Sequence, residues 1–139
     1  MAVEIEWPLE VVVPGTPVSL AASARSIGAW RERIRQATLP LLPQNHFLAQ
    51  GPVQVTIYFF ADAPVRFDID NIVKPIFDAL KNLVFVDDRQ VERMVVQKFE
   101  PDRLFTFAAP SGVLADAVEA DGPRVYLAIR DSEPGEIAL

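Results

Sequence analysis

Hydrophobic and polar positions alternate along residues 4–13. Ile5, Trp7, Leu9, Val11 and Val13 share one side, and Glu4, Glu6, Pro8 and Glu10 are among those on the other. A period of two with an acidic face predicts a half-exposed strand. Pro8 cannot donate to a ladder, which places this strand, or its first half, at a sheet edge. Pro14-Gly15-Thr16-Pro17 ends it, and Val18 to Ser23 reads as a loop. The period then changes. Ile27, Trp30, Ile34, Ala37 and Leu41 recur at helical spacing, predicting a helix capped by Ser26, running to about Leu39 and stopped by Pro40. Arg31, Arg33 and Arg35 fall off its apolar stripe, either as a solvated face or as a surface for phosphates.

Residues 53–60 give the clearest strand, with Val53, Val55, Ile57 and Phe59 alternating with Gln54, Thr56, Tyr58 and Phe60. Bulk on both faces at its far end predicts a central position. Ile69, Ile72, Val73, Ile76, Phe77, Leu80 and Leu83 predict a second helix, with Asp70 or Asn71 as its cap. Pro75 must fall close to the end of its first turn, because further inside it would break the helix. Val91 to Phe99 reads as a strand, Leu104 to Phe107 as an extension of the sheet, and Val113 to Ala120 as a short helix. After Gly122-Pro123 comes a last strand in which Val125, Leu127 and Ile129 alternate with Arg124, Tyr126 and Arg130, then a polar tail expected to fray from Asp131 onward. The order β-α-β-α-β-(short α)-β predicts one α+β domain over residues 1–139, a mixed sheet with two main helices packed on it.

Composition narrows the chemistry. The 139 residues contain no cysteine, which excludes disulfides, thiolate zinc and thiol nucleophiles and fits a reducing compartment. No apolar run approaches the length of a membrane span, and the first residues lack the pattern of a signal peptide, so a soluble, cytoplasmic protein is expected. His46, the single histidine, lies in the connector from Pro43 to Gly51 and receives no role. The net charge of −6 runs against a simple nucleic-acid binder. The distribution changes that picture, because residues 25–35 carry four arginines against Glu32 alone.

The chemistry concentrates in Arg66-Phe67-Asp68-Ile69-Asp70-Asn71-Ile72-Val73-Lys74 and in Asp87-Asp88. Asp70, Lys74 and Asp78 are spaced by four and line one helical face. Asp68 points the same way if the chain is still extended there. Each residue has a bland local explanation: a cap, an ion pair between Lys74 and Asp78, a turn at Asp87-Asp88. A cap needs only one aspartate, however, and adjacent carboxylates repel unless a cation lies between them. If Asp68, Asp70, Asp87 and Asp88 hold a metal, 15 of the 19 acids remain to face 13 bases. An all-carboxylate cluster favours Mg²⁺, with Mn²⁺ as the alternative, over zinc. Such an ion polarises a phosphodiester, while a lysine stabilises the charge that develops on it. The residues therefore point to metal-dependent phosphoryl transfer or hydrolysis.

Asp68-x-Asp70-Asn71-x-x-Lys74, Phe77-Asp78-Ala79-Leu80 and Asp87-Asp88-Arg89-Gln90-Val91 together resemble the signature of the RusA-type Holliday-junction resolvases. The resemblance is dense over about residues 66–98 and implies a RusA-like fold and a homodimeric, Mg²⁺-dependent endonuclease that cuts four-way DNA junctions symmetrically. By position it implies that Asp68, Asp70 and Asp88 are catalytic, metal-binding aspartates, that Lys74 is the essential lysine, and that Asn71 and Asp87 adjoin or support the site. Arg25, Arg31, Arg35 and Arg66 are the candidate DNA contacts. The chain departs from the family in having only Arg66 where a basic stretch precedes the first aspartate. The alternatives are a nuclease of the same chemistry on another branched nucleic acid, or a non-catalytic nucleic-acid-binding domain of the same fold.

Overall fold

The computed structural model describes residues 3–133. Four strands form one mixed sheet: β1 (Leu9–Pro14), β2 (Val53–Phe60), β3 (Val91–Phe99) and β4 (Arg124–Asp131), in the spatial order β1-β4-β2-β3. β4 runs antiparallel to both β1 and β2, and β2 runs parallel to β3. The helices are α1 (Ala24–Thr38), α2 (Val73–Leu80) and α3 (Gly112–Glu119), so the element order is the one expected. β2 is central and β1 lies at an edge, the places expected, although Pro8 falls just before β1 rather than within it.

Alternation decides what each face of the sheet covers. Val11 and Val13 of β1, Val53, Val55, Ile57 and Phe59 of β2, and Val125, Leu127 and Ile129 of β4 point to one side. There they bury Trp30 and Ile34 of α1 and Ile76, Ala79 and Leu80 of α2 in the main core. The opposite face is smaller: Phe60, Phe99 and Tyr126 pack with Leu114 and Ala117 of α3. On that face the Tyr126 hydroxyl donates to Glu10 Oε2 at 2.6 Å, and burial together with this bond pushes its pKa up. Arg124 closes α3 by donating to the carbonyls of Ala117 and Val118 at 2.6 and 2.7 Å.

Several details differ from the expectation. The first strand begins at Leu9 rather than residue 4, after a bend at Trp7-Pro8, although Ile5 is still buried. Ser23, not Ser26, caps α1: its hydroxyl accepts from Ser26 N–H at 3.1 Å. Pro40 falls in a 3₁₀ turn (Leu39–Leu41) that prolongs α1, and this rotates Leu41 outward while Thr38 is buried and donates to Ile34 O at 2.7 Å. Leu104 to Phe107 adds no strand. Phe105 and Phe107 instead pack on Phe99, with ring centroids 4.5 and 5.4 Å away. Asp131 and Ser132 are tied to the sheet, Asp131 paired with Val53 and Ser132 N–H donating to Pro52 O at 2.9 Å. The rest of the expected tail, residues 134–139, lies outside the described residues.

Candidate active site

The crossover from β2 through α2 to β3 builds the site. Beyond β2, Phe67 stacks on Phe59 with centroids 6.0 Å apart, anchoring the chain just before the aspartates. Asp68 is extended (φ −76°, ψ 139°), and its carbonyl accepts from Asn71 N–H at 3.1 Å to start a 3₁₀ turn, Ile69–Ile72. That turn runs straight into α2, and Pro75 sits in its first turn, where no N–H is needed. The start of α2 is therefore organised by backbone alone.

As a consequence, the expected capping by Asp70 or Asn71 is not formed, and Asp68 makes no capping bond either. Both carboxylates are exposed and line an open groove of about 510 Å³ with Phe67, Ile69, Val96, Gln97 and Lys98. Asn71 works through its backbone: its N–H holds Asp68, and its carbonyl accepts from Leu20 N–H at 3.0 Å, tying the loop before α1 to the site.

Lys74, in the first turn of α2, ties that helix to the Asp87-Asp88 turn, and its bonds reach neither Asp68 nor Asp70. Its Nζ lies 3.0 Å from Asp78 Oδ1 and donates a hydrogen bond to Asp88 Oδ2. These bonds, first to Asp88 and then to Asp78, raise the pKa of the ammonium above its ordinary value. The second oxygen of Asp88, Oδ1, is buried with no hydrogen-bond partner among the described residues. A carboxylate oxygen left so is costly, and it stands as an acceptor that these residues do not satisfy.

Asp87 and Asp88 resolve their mutual repulsion by diverging. Asp87 turns away to accept from Arg89 N–H at 3.1 Å, capping a 3₁₀ turn (Asp88–Gln90), and this backbone bond lowers its pKa. Gln90 completes a capping box. Its Oε1 accepts from the N–H groups of Val86 and Asp87 at 2.8 and 2.9 Å, and its Nε2 donates to the carbonyls of Ala49 and Gly51 at 2.6 and 2.9 Å. One amide therefore fixes the Asp87-Asp88 turn to the approach to β2. In the sequence Gln90 figures only as part of the family signature and carries no role, although Asp-x-x-Gln at cap and N3 spacing is the signal for one.

The basic residues lie in separate places. Arg66 is exposed two residues before Asp68, and Arg25 is exposed in the first turn of α1. Arg31 and Arg35 line a shallow depression on α1 with Gly28 and Glu32. Arg33 is structural, donating to Pro14 O at 3.3 Å. His46 is also structural: its Nε2 lies 2.6 Å from Leu83 O and its Nδ1 3.2 Å from Pro43 O.

Among the described residues, no group of three or more His, Cys, Asp or Glu side chains sits close enough together to hold a metal ion. The oxygens that could take a hard cation are those of Asp68 and Asp70 on the groove and Oδ1 of Asp88, which does not line that groove. No described helix is long and apolar enough to cross a membrane. No curated protein matches the chain. A family model described as endodeoxyribonuclease RusA matches residues 19–106, a span that runs from the loop before α1 through both acidic motifs to the segment after β3. That match covers more than half of the chain and includes the Asp68–Lys74 segment and the Gln90-locked turn. The chain belongs to the RusA family of endodeoxyribonucleases.

Proposed function

We propose that this protein is a Mg²⁺-dependent endonuclease that resolves Holliday junctions, acting as a homodimer on two strands of a four-way DNA. The observation that carries the reading is the set of acidic groups flanking Lys74 in sequence and space: Asp88, hydrogen-bonded to the ammonium and with one buried oxygen unsatisfied among the described residues, and Asp68 and Asp70, exposed on a groove and making no capping bond. The donor set is all oxygen, which fits a hard cation. Mg²⁺ needs only one or two carboxylates when waters and substrate phosphates complete its shell, so a closed cage of three is not required. Asp68, Asp70 and Asp88 are the residues that would hold it, and Mn²⁺ fits the same donors. When bound, such an ion supplies Lewis-acid polarisation of the phosphodiester and eases deprotonation of the attacking water.

The remaining roles belong to the chain. Lys74 carries a proton firmly because of its two carboxylate partners, so it reaches the scissile phosphate as a fixed positive charge and stabilises the oxyanion that develops there. Asp78 keeps the ammonium oriented while Asp88 turns toward its ligand. Asn71 holds Asp68 through the backbone, and Asp87 shapes the loop that presents Asp88. Arg25, Arg31, Arg35 and Arg66 would contact phosphates further along the DNA arms. A two-fold dimer would place two such sites on opposed strands, as paired incision requires.

The test is a panel of labelled four-way junction, flap, duplex and single strand, each incubated with Mg²⁺ or with chelator and mapped for nicks. Symmetric nicks in the junction that need the divalent ion are expected. Cleavage restricted to flaps or single strands would replace the junction by another substrate. Junction binding without cleavage under any divalent ion would leave a binding domain.

A further inference from the structure

From the geometry of the groove we infer that Lys98 holds a non-reacting phosphate of the DNA strand bound there, on the wall opposite Asp68 and Asp70. The inference rests on the nuclease reading and adds a substrate-binding residue to it. The groove has two walls: Phe67 to Asp70 on one side, and Val96, Gln97 and Lys98 of β3 on the other. Among the described residues β3 is an edge strand, with no strand paired on its outer side. Its register pairs Val96 with Ile57 and Lys98 with Phe59, whose side chains are buried under α1 and α2, whereas Gln97 pairs with Tyr58 of the opposite face. Lys98 therefore projects from the face of the sheet that carries α2 and the aspartates.

Electrostatics gives this lysine a task. Until a divalent ion is bound, a groove edged by two carboxylates on a chain of net charge −6 repels a DNA backbone, and a cation on the facing wall helps to draw the strand across. Lys98 keeps 41% of its side-chain surface exposed, with Nζ 2.8 Å from Glu100 Oε1. That pair holds the Glu100 carboxyl below its ordinary pKa, and the same oxygen accepts from Val65 N–H at 3.5 Å, on the loop that leads to Asp68. Glu100 thus aligns Lys98 along the groove. The plainer explanation, a surface ion pair kept for stability, explains little, because exposed pairs contribute almost nothing to folding. A flexible ammonium that exchanges Glu100 for a phosphate is the ordinary chemistry of a backbone contact.

The experiment measures binding of a labelled four-way junction in chelator across a salt series, and steady-state cleavage in Mg²⁺, for the wild type, Lys98→Ala, Lys98→Arg, Glu100→Gln and the Lys98→Ala/Glu100→Gln double variant. Lys98→Ala is expected to weaken binding about three- to tenfold and to reduce the salt dependence by roughly one phosphate contact. It should raise KM while leaving kcat within about twofold and Tm unchanged, with Lys98→Arg restoring the affinity. Glu100→Gln is expected to tighten binding only while Lys98 is present. Equal affinity and salt slope for Lys98→Ala and wild type, or a Glu100→Gln gain that persists without Lys98, would overturn the inference. If the wild type cuts the junction and Lys98→Ala behaves identically, the inference alone fails. If the wild type cuts no DNA, the nuclease reading fails and the inference falls with it.

Discussion

The two acidic motifs are held in opposite ways. Asp88 sits on a turn fixed by a capping box whose glutamine amide makes four hydrogen bonds to the backbone, and by a hydrogen bond from Lys74. Asp68 and Asp70 sit on a turn fixed by backbone bonds alone, with their carboxylates exposed on an open groove and no cap to serve. Position is built into the first motif, and access is left in the second. That division suits a site in which one carboxylate is a fixed reference and the others meet a ligand arriving from solvent. It also means that substitutions in the two motifs should separate stability from activity.

The largest effect expected is on chemistry. Asp88→Asn keeps the shape and the bond from Lys74 but removes the charge, so cleavage should fall by about 10²–10³-fold, as for loss of one transition-state electrostatic contact. The cost in Tm should be small, because the Lys74 pair is partly exposed. A Tm collapse with proportionate loss of activity would show that Asp88 is structural.

Gln90→Ala comes next and should strike both properties. It leaves two N–H groups and two carbonyls without their partner, costing about 1–3 kcal/mol by denaturant unfolding after partial hydration. It should also lower cleavage by freeing the turn. Gln90→Glu retains the acceptor and loses the donor, so it should fall between the two. Full activity in Gln90→Ala would remove the idea that Asp88 is held as a fixed reference.

Ser23→Ala serves as the contrast, because it acts on α1 away from both motifs. It should cost about 1 kcal/mol from the lost cap and leave kcat unchanged, while Ser26→Ala should cost less because Ser26 provides the N–H that is capped rather than the cap. Equal losses would reverse the cap assignment.

The smallest effect is a pH dependence. The folded-state pKa of Lys74 is raised, so its ion pairs contribute stability that is fully present below the unfolded value of about 10.4 and is lost as pH rises through the raised folded value. Unfolding curves of wild type and Lys74→Gln should therefore differ at neutral pH and converge on the alkaline side. A constant difference across that window would show that the contribution of Lys74 is not its charge.

Much of the fold was legible because alternation and helical spacing are local. The central place of β2 and the edge place of β1 followed from bulk on Phe59 and Phe60 and from Pro8. The misreadings have tertiary causes. Leu104 to Phe107 has strand composition, but Phe99 and Phe60 offer an aromatic surface that recruits Phe105 and Phe107 as a cover instead. Ser26 lost the cap to Ser23 because the helix begins a turn earlier, at Ala24. Asp70 looked like a cap because the sequence does not reveal the 3₁₀ turn that enters α2. In the candidate site the residue types and their spacing were legible. The bond between Lys74 and Asp88 was not, since it spans 14 positions and depends on how α2 returns toward β3.

The most direct measurement is Mg²⁺-dependent cleavage of a labelled four-way junction by wild type and Asp70→Asn, with Tm recorded for each. Asp70 makes no cap, so the account predicts that the variant folds with unchanged Tm, still binds the junction in chelator, and loses cleavage. Cleavage by Asp70→Asn at the wild-type rate under the same Mg²⁺ would contradict it.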